Sequence, residues 1–150
     1  MTPSSKETPV THNHEETLVL VKPDGVERGL TGQILARIEA KGYVITELRM
    51  LTPTREMLVK HYEEHEGKPF FEPLVEFMGS GPVVAARVTG NRVIEGFRSL
   101  AGATEPTTAA PGTIRGDLGR DWGLDVQQNI VHGSDSEESA AREIGIWFPR

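Results

Sequence analysis

The apolar residues of this chain come in short runs that alternate with helix-spaced stripes, and that alternation limits the fold more than any other feature. Leu18-Val19-Leu20-Val21 is a run of strand length that stops at Lys22-Pro23, which predicts a buried strand. Leu30, Ile34 and Ile38 then recur at helical spacing, and Gly42 is a natural stop. Val44 to Leu51 reads as a second strand closed by Pro53, after which Thr54 can cap a helix carrying Met57, Leu58, His61 and Tyr62. Phe70, Leu74, Phe77 and Met78 mark a further short helix. Val83 to Val88 is a third strand, and Val93, Ile94, Phe97 and Leu100 outline the helix after it. From Gly102 to about Val126 no period survives, and so long an aperiodic stretch in a compact domain is usually functional or an interface. Asn129-Ile130-Val131 reads as a short strand leading into His132. Ser136 can cap the last helix, with Glu137 and Glu138 near its positive end and Ala140, Ile144, Trp147 and Phe148 as its buried stripe.

Four short strands with helices between them suit an α/β (α+β) sandwich. The expected architecture is a ferredoxin-like split βαβ core, a four-stranded, mostly antiparallel sheet covered by helices; the order alone also permits a doubly wound parallel sheet. Residues 1–16 are polar, hold two prolines and offer Val10 as their one aliphatic side chain, so they read as a flexible tail. Residues 17–150 are then a single catalytic domain. His12 and His14 fall in the tail, where solvation is expected rather than metal binding. The absence of cysteine removes disulfides, thiolate metal sites and cysteine catalysis. A formal net charge of -6 argues against a nucleic-acid partner, which needs a basic face, yet leaves room for a local basic pocket. No apolar run approaches the roughly 20 residues of a membrane span. The N-terminus lacks an apolar signal core, so the reading is a cytoplasmic protein without a membrane partner.

His132 is the centre of the chemical argument. It follows an apolar strand end and precedes Gly133, Ser134 and Asp135, small or polar residues that leave the imidazole accessible. A neutral imidazole is a competent nucleophile near pH 7. A histidine ahead of a helix is ordinarily a surface or capping residue, so context has to decide. Arg98, Thr104 and Arg115 lie among Gly102, Gly112 and Gly116, and two guanidiniums with a hydroxyl at a glycine-rich loop make a phosphate clamp. Lys22-Pro-Asp-Gly25 by itself is a turn, and Arg28 and Asp117 read as salt-bridge residues. A P-loop and the protein-kinase motifs are absent. His61 and His65 stand four apart without the His-Glu-x-x-His order, which reads as an exposed helical face.

Taken together the segments resemble the nucleoside diphosphate kinase family. The matches are Lys22-Pro-Asp-Gly25 with Arg28-Gly-Leu30, His61-Tyr62, Pro69-Phe-Phe71, Ser80-Gly-Pro-Val-Val84, Arg98, Gly102-Ala-Thr-Glu-Pro106 and Pro111-Gly-Thr-Ile-Arg-Gly-Asp117. The most specific is Asn129-Ile-Val-His-Gly-Ser-Asp-Ser136, followed by Glu143 and Trp147-Phe148. The resemblance implies a ping-pong enzyme in which His132 takes the γ-phosphate of a nucleoside triphosphate, mainly ATP, and passes it to another nucleoside diphosphate. It implies that Arg98, Thr104 and Arg115 hold phosphates, and that Mg²⁺ bridges phosphate oxygens without a direct protein ligand. Lys22 and Asn129 would bind ribose hydroxyls, with Lys22 also near the transferring phosphate. Phe70 would stack on the base, Val126 being the candidate for the other face, while Tyr62 and Glu143 position the imidazole. It also implies a homo-oligomer, a tetramer or a hexamer. The segment 118–126 is a few residues longer than in most relatives. Two rivals are a phosphohistidine relay protein, which would not need Phe70, Asn129 or Lys22, and a nucleotide-binding regulatory module, which would not need His132 with Tyr62, Arg98 and Glu143.

Overall fold

The computed structural model describes residues 13–150; residues 1–12, and with them most of the expected tail and His12, lie outside the described residues. The strands are β1 (His14–Val21), β2 (Val44–Leu51), β3 (Val83–Asn91) and β4 (Val131–Gly133). The helices are α1 (Pro23–Glu27), α2 (Thr31–Ala40), α3 (Arg55–His61), α4 (Phe71–Met78), α5 (Val93–Ala101), α6 (Ile114–Leu118) and α7 (Glu137–Trp147). One four-stranded sheet runs in the order β2-β3-β1-β4. All three pairings are antiparallel, which is the split βαβ, ferredoxin-like arrangement and not the doubly wound one.

The central strand explains the two-sided core. In β1 successive side chains point to opposite faces. Val19 and Val21 therefore join Ile34 and Ile38 of α2 and Val93 and Phe97 of α5 on one side. Leu18 and Leu20 join Leu58 of α3, Val75 of α4 and Ile144 and Trp147 of α7 on the other. Covered on both faces, β1 reads as a continuous apolar run rather than an alternating one. The caps match the sequence: Thr54 Oγ1 accepts from Met57 N–H, and Ser136 Oγ accepts from Ser139 N–H.

Four boundaries differ from expectation. β1 starts at His14, not Thr17, because Arg87 of β3 reaches Glu16 and Glu47, and Glu15 accepts the Ile94 N–H, so polar residues extend the ladder. Lys22-Pro-Asp-Gly25 opens the one-turn helix α1, with proline at its first position where a missing N–H costs nothing. The aperiodic 102–126 stretch contains α6, capped by Thr113. The fourth strand begins at Val131, since Ile130 is turned out of strand geometry at φ 73°. No helix of the described residues is long and apolar enough to cross a membrane.

Candidate active site

β4 pairs His132 opposite Leu20, so its side chain falls on the face covered by α3, α4 and α7. There its Nε2 lies 2.8 Å from Glu143 Oε1, on the buried side of α7. The same oxygen accepts the Ser134 hydroxyl at 2.8 Å, and Ser134 Oγ in turn accepts the Leu18 N–H at 3.1 Å. A carboxylate oxygen accepts a hydrogen bond from each donor, so His132 is held with its hydrogen on Nε2 and its lone pair on Nδ1. Gly133 serves packing: a Cβ there would stand 2.5 Å from the Phe97 ring.

Just upstream, Val131 N–H bonds Asn129 C=O at 2.8 Å across Ile130. With φ 73° at Ile130 this is a γ-turn of the rarer, positive-φ kind, and a β-branched residue there stores about 1–3 kcal/mol of strain. Arg115 fastens the region. Its guanidinium donates to the carbonyls of Asn129 (3.0 Å), Gly102 (2.9 Å) and Val131 (2.6 Å). Asn129 accepts from Lys22 Nζ at 2.8 Å and donates to the Thr104 carbonyl at 3.0 Å. Lys22, Arg98, Thr104, Arg115, Asn129 and His132 thus line one cleft of about 230 Å³, with Asp135 as the carboxylate among its lining residues. Burial, then the charge of Arg115, pushes Lys22 down to about 8, against the pull of Asp24. Burial and Arg98 push Arg115 down to about 10, which leaves it cationic at neutral pH. Three cations in one cleft of a net-acidic chain make a local charge complementary to phosphate oxygens.

Three expected members stand apart from this cleft. Tyr62 is half-buried and its hydroxyl has no hydrogen-bond partner, so among the described contacts Glu143 makes the side-chain hydrogen bond to the imidazole. Phe70 is 48% exposed beyond the cleft lining, its ring 5.2 Å from His65 and 5.9 Å from the Lys68 ammonium. Val126 lines a neighbouring hollow with Trp122 and Leu124. Asp117 forms the expected ion pair, with Arg37 at 2.8 Å, whereas Arg28 donates instead to the Leu118 carbonyl.

His61 overturns the expected exposed face. It is buried, and its ring stands edge-on to His132 with centroids 4.7 Å apart. Trp147 Nε1–H donates to its Nδ1 at 3.0 Å. Burial, reinforced by His132 and Arg142, keeps its pKa well below the usual histidine range. A neutral ring that accepts at Nδ1 carries its proton on Nε2. His61, His132 and Glu143 do offer three donor atoms within 4.8 Å. Coordination through His61 Nε2 would require the proton to move to Nδ1, against the Trp147 N–H, so the trio does not suit a metal: His132 and Glu143 are hydrogen-bonded, and His61 packs edge-on beside them. The sequence signal for it was His61-Tyr62 at the end of a helix, but its ring is packed among Tyr62 and the distant His132 and Trp147.

Fold and cleft together define the class: a ferredoxin-like α/β protein with a cationic cleft beside a histidine. The family model described as nucleoside diphosphate kinase matches residues 15–150. A nucleoside diphosphate kinase of Streptomyces avermitilis is 60% identical over 136 residues, covering 90% of this chain and 96% of the relative. One of Mycobacterium tuberculosis is 59% identical over 136 residues, covering 90% and 97%. Among solved structures, a halophilic nucleoside diphosphate kinase from Halobacterium salinarum in complex with CDP superposes with a TM-score of 0.85 at 46% identity, over 93% of this chain and 90% of that one. A nucleoside diphosphate kinase family protein from Babesia bovis gives 0.84 at 45% identity, over 90% and 88%. The chain belongs to the nucleoside diphosphate kinase family, enzymes that transfer phosphate between nucleotides.

Proposed function

We propose that this chain takes the γ-phosphoryl group of a nucleoside triphosphate, mainly ATP, onto His132 and hands it to a different nucleoside diphosphate in a ping-pong cycle in the cytoplasm. The observation that carries the reading is the 2.8 Å contact of His132 Nε2 with Glu143, beside a cleft holding Lys22, Arg98 and Arg115. The Nδ1 lone pair forms a bond to the γ-phosphorus while the bond from that phosphorus to the β–γ bridging oxygen breaks. The diphosphate leaves with the electron pair. In the second half the terminal oxygen of another diphosphate attacks the phosphohistidine, and Nδ1 recovers its lone pair. The Glu143 carboxylate stabilises the imidazolium character that develops at Nε2.

Arg98 and Arg115 hold phosphate oxygens with Thr104, stabilising the charge spread over the migrating group. Arg115 gives three of its five N–H groups to carbonyls, which fixes its plane and leaves two for ligand. Lys22 and Asn129, already bonded to each other, meet the ribose hydroxyls, with Lys22 also near the transferring phosphate. Phe70, exposed on the neighbouring surface, offers a stacking face that tolerates any base. The CDP complex of the Halobacterium salinarum relative supports a nucleotide ligand here. Mg²⁺ suits the site as a partner of the nucleotide: the lining offers one carboxylate, Asp135, and Mg²⁺ commonly binds through phosphates and water rather than an all-protein cage. When bound it neutralises phosphate charge. We also read the protein as a homo-oligomer, a tetramer or a hexamer, supported by apolar side chains on the edge strand β2.

Incubation with γ-labelled ATP will give an acid-labile, base-stable phosphoenzyme, and His132→Ala will lose both label and turnover. Substantial turnover by that variant refutes the covalent route.

A further inference from the structure

The strained γ-turn at Ile130 has a clamp that the nucleotide reading leaves unused. The Ile130 N–H donates to Asp24 Oδ2 at 3.0 Å, and the Ile130 carbonyl accepts the Lys22 N–H at 2.7 Å. Ile130 is fully buried, so water cannot replace a lost acceptor, and an orphaned buried N–H is costly. Asp24 is itself 6% exposed, and its other oxygen, Oδ1, has no hydrogen-bond partner. A carboxyl group is thus kept in the interior with the Ile130 N–H bonded to one of its oxygens. Gly25 lets α1 come this close: a Cβ on it would stand 2.8 Å from Val21 Cγ1 and 3.0 Å from Ile130 Cγ2.

We propose that Asp24 is a positioning residue for phosphoryl transfer, its carboxyl group holding the γ-turn at Ile130 so that Asn129 and His132 stand in reactive register. This rests on the reading of His132 as the phosphate carrier. A β-branched residue released from the clamp relaxes toward negative φ. That rotation turns the Asn129 side chain from Lys22 and Thr104 and shifts His132 against Leu20, its partner across β1. Misplacement of a reacting group by about 1 Å costs on the order of 10²-fold in rate.

The test is the single-turnover rate of phosphoenzyme formation from γ-labelled ATP, measured below the melting temperature of each variant. Asp24→Ala will be slowed by about 10²-fold. Asp24→Asn keeps an oxygen acceptor in the same place without the charge, and will recover most of the rate. If Asp24→Ala does not fold, Gly25→Ala replaces it; by pushing α1 from the turn it must slow transfer where Asp24→Asn does not. A folded Asp24→Ala that labels at the wild-type rate overturns the proposal, showing a purely structural aspartate. An Asp24→Asn as slow as the alanine variant, or as slow as Gly25→Ala, also overturns it, because the charge and not the acceptor would then matter. Failure of the wild-type chain to label at all refutes the His132 reading, and this inference with it.

Discussion

Lys22 carries opposite consequences for stability and for function. Its ammonium is pushed down to about 8 in the folded chain, whereas an unfolded lysine titrates near about 10.4. Between those values the unfolded chain binds more protons, so this residue's contribution to stability rises with pH across the window. Over the same range the cleft loses a cation that the proposed nucleotide contact needs. The expected outcome is a fall in kcat/KM, which reports the free enzyme, as pH rises through about 8. Lys22→Arg, whose charge persists throughout that range, will remove this alkaline limb. An unchanged limb in the arginine variant would assign it to another group. Lys22, Arg98, Thr104, Arg115, Asn129 and His132 were legible in the sequence because charge type and motif order survive without coordinates. His61 and Asp24 were not. Both are placed by hydrogen bonds from residues far along the chain, Trp147 for one and Ile130 for the other.

At the level of elements, the legible pieces were those long enough to repeat a period. The stripes of α2, α5 and α7 and the apolar run of β1 are of that kind. The five residues of α6 complete little more than one turn, and their signal was the cap, Thr113 accepting from Gly116 N–H at 3.0 Å. β4 starts later than the apolar pattern predicts because Ile130 is turned out of strand geometry, its N–H bonded to a carboxyl group from α1 that no local pattern contains. Gly116 makes α6 testable. A methyl group there would run into the Ala110 carbonyl, and Arg115 is its neighbour. Gly116→Ala will therefore destabilise the fold by about 1–3 kcal/mol, the usual result of overpacking, visible as a lower Tm. An unaltered Tm would show that the 109–113 segment yields without cost.

Across the whole molecule, β2 is the exposed margin of the sheet, with Val44, Leu48 and Met50 57%, 53% and 60% exposed. Leu48 and Met50 lie opposite Ala86 and Val84, on the face of α2 and α5 but outside their cover. Such an edge invites a second chain. Leu48→Glu will lower the mass measured by light scattering while leaving the thermal melt of the subunit nearly intact, since exposed substitutions rarely change stability much. An unchanged mass would place the proposed contact elsewhere. The position of β1 has a further consequence, one of timing. β1 comes first of the four described strands, yet it is completed on one side by β3 and on the other by β4, the last of them in chain order. Its pairing is non-local, and such contacts form late and slowly. Because His132 lies on β4 and Glu143 on α7, a nascent chain stalled before β4 carries Lys22, Arg98 and Arg115 but not the histidine of the proposed transfer. A product terminated before β4 therefore lacks the proposed phosphate carrier, whatever part of the core it is able to form.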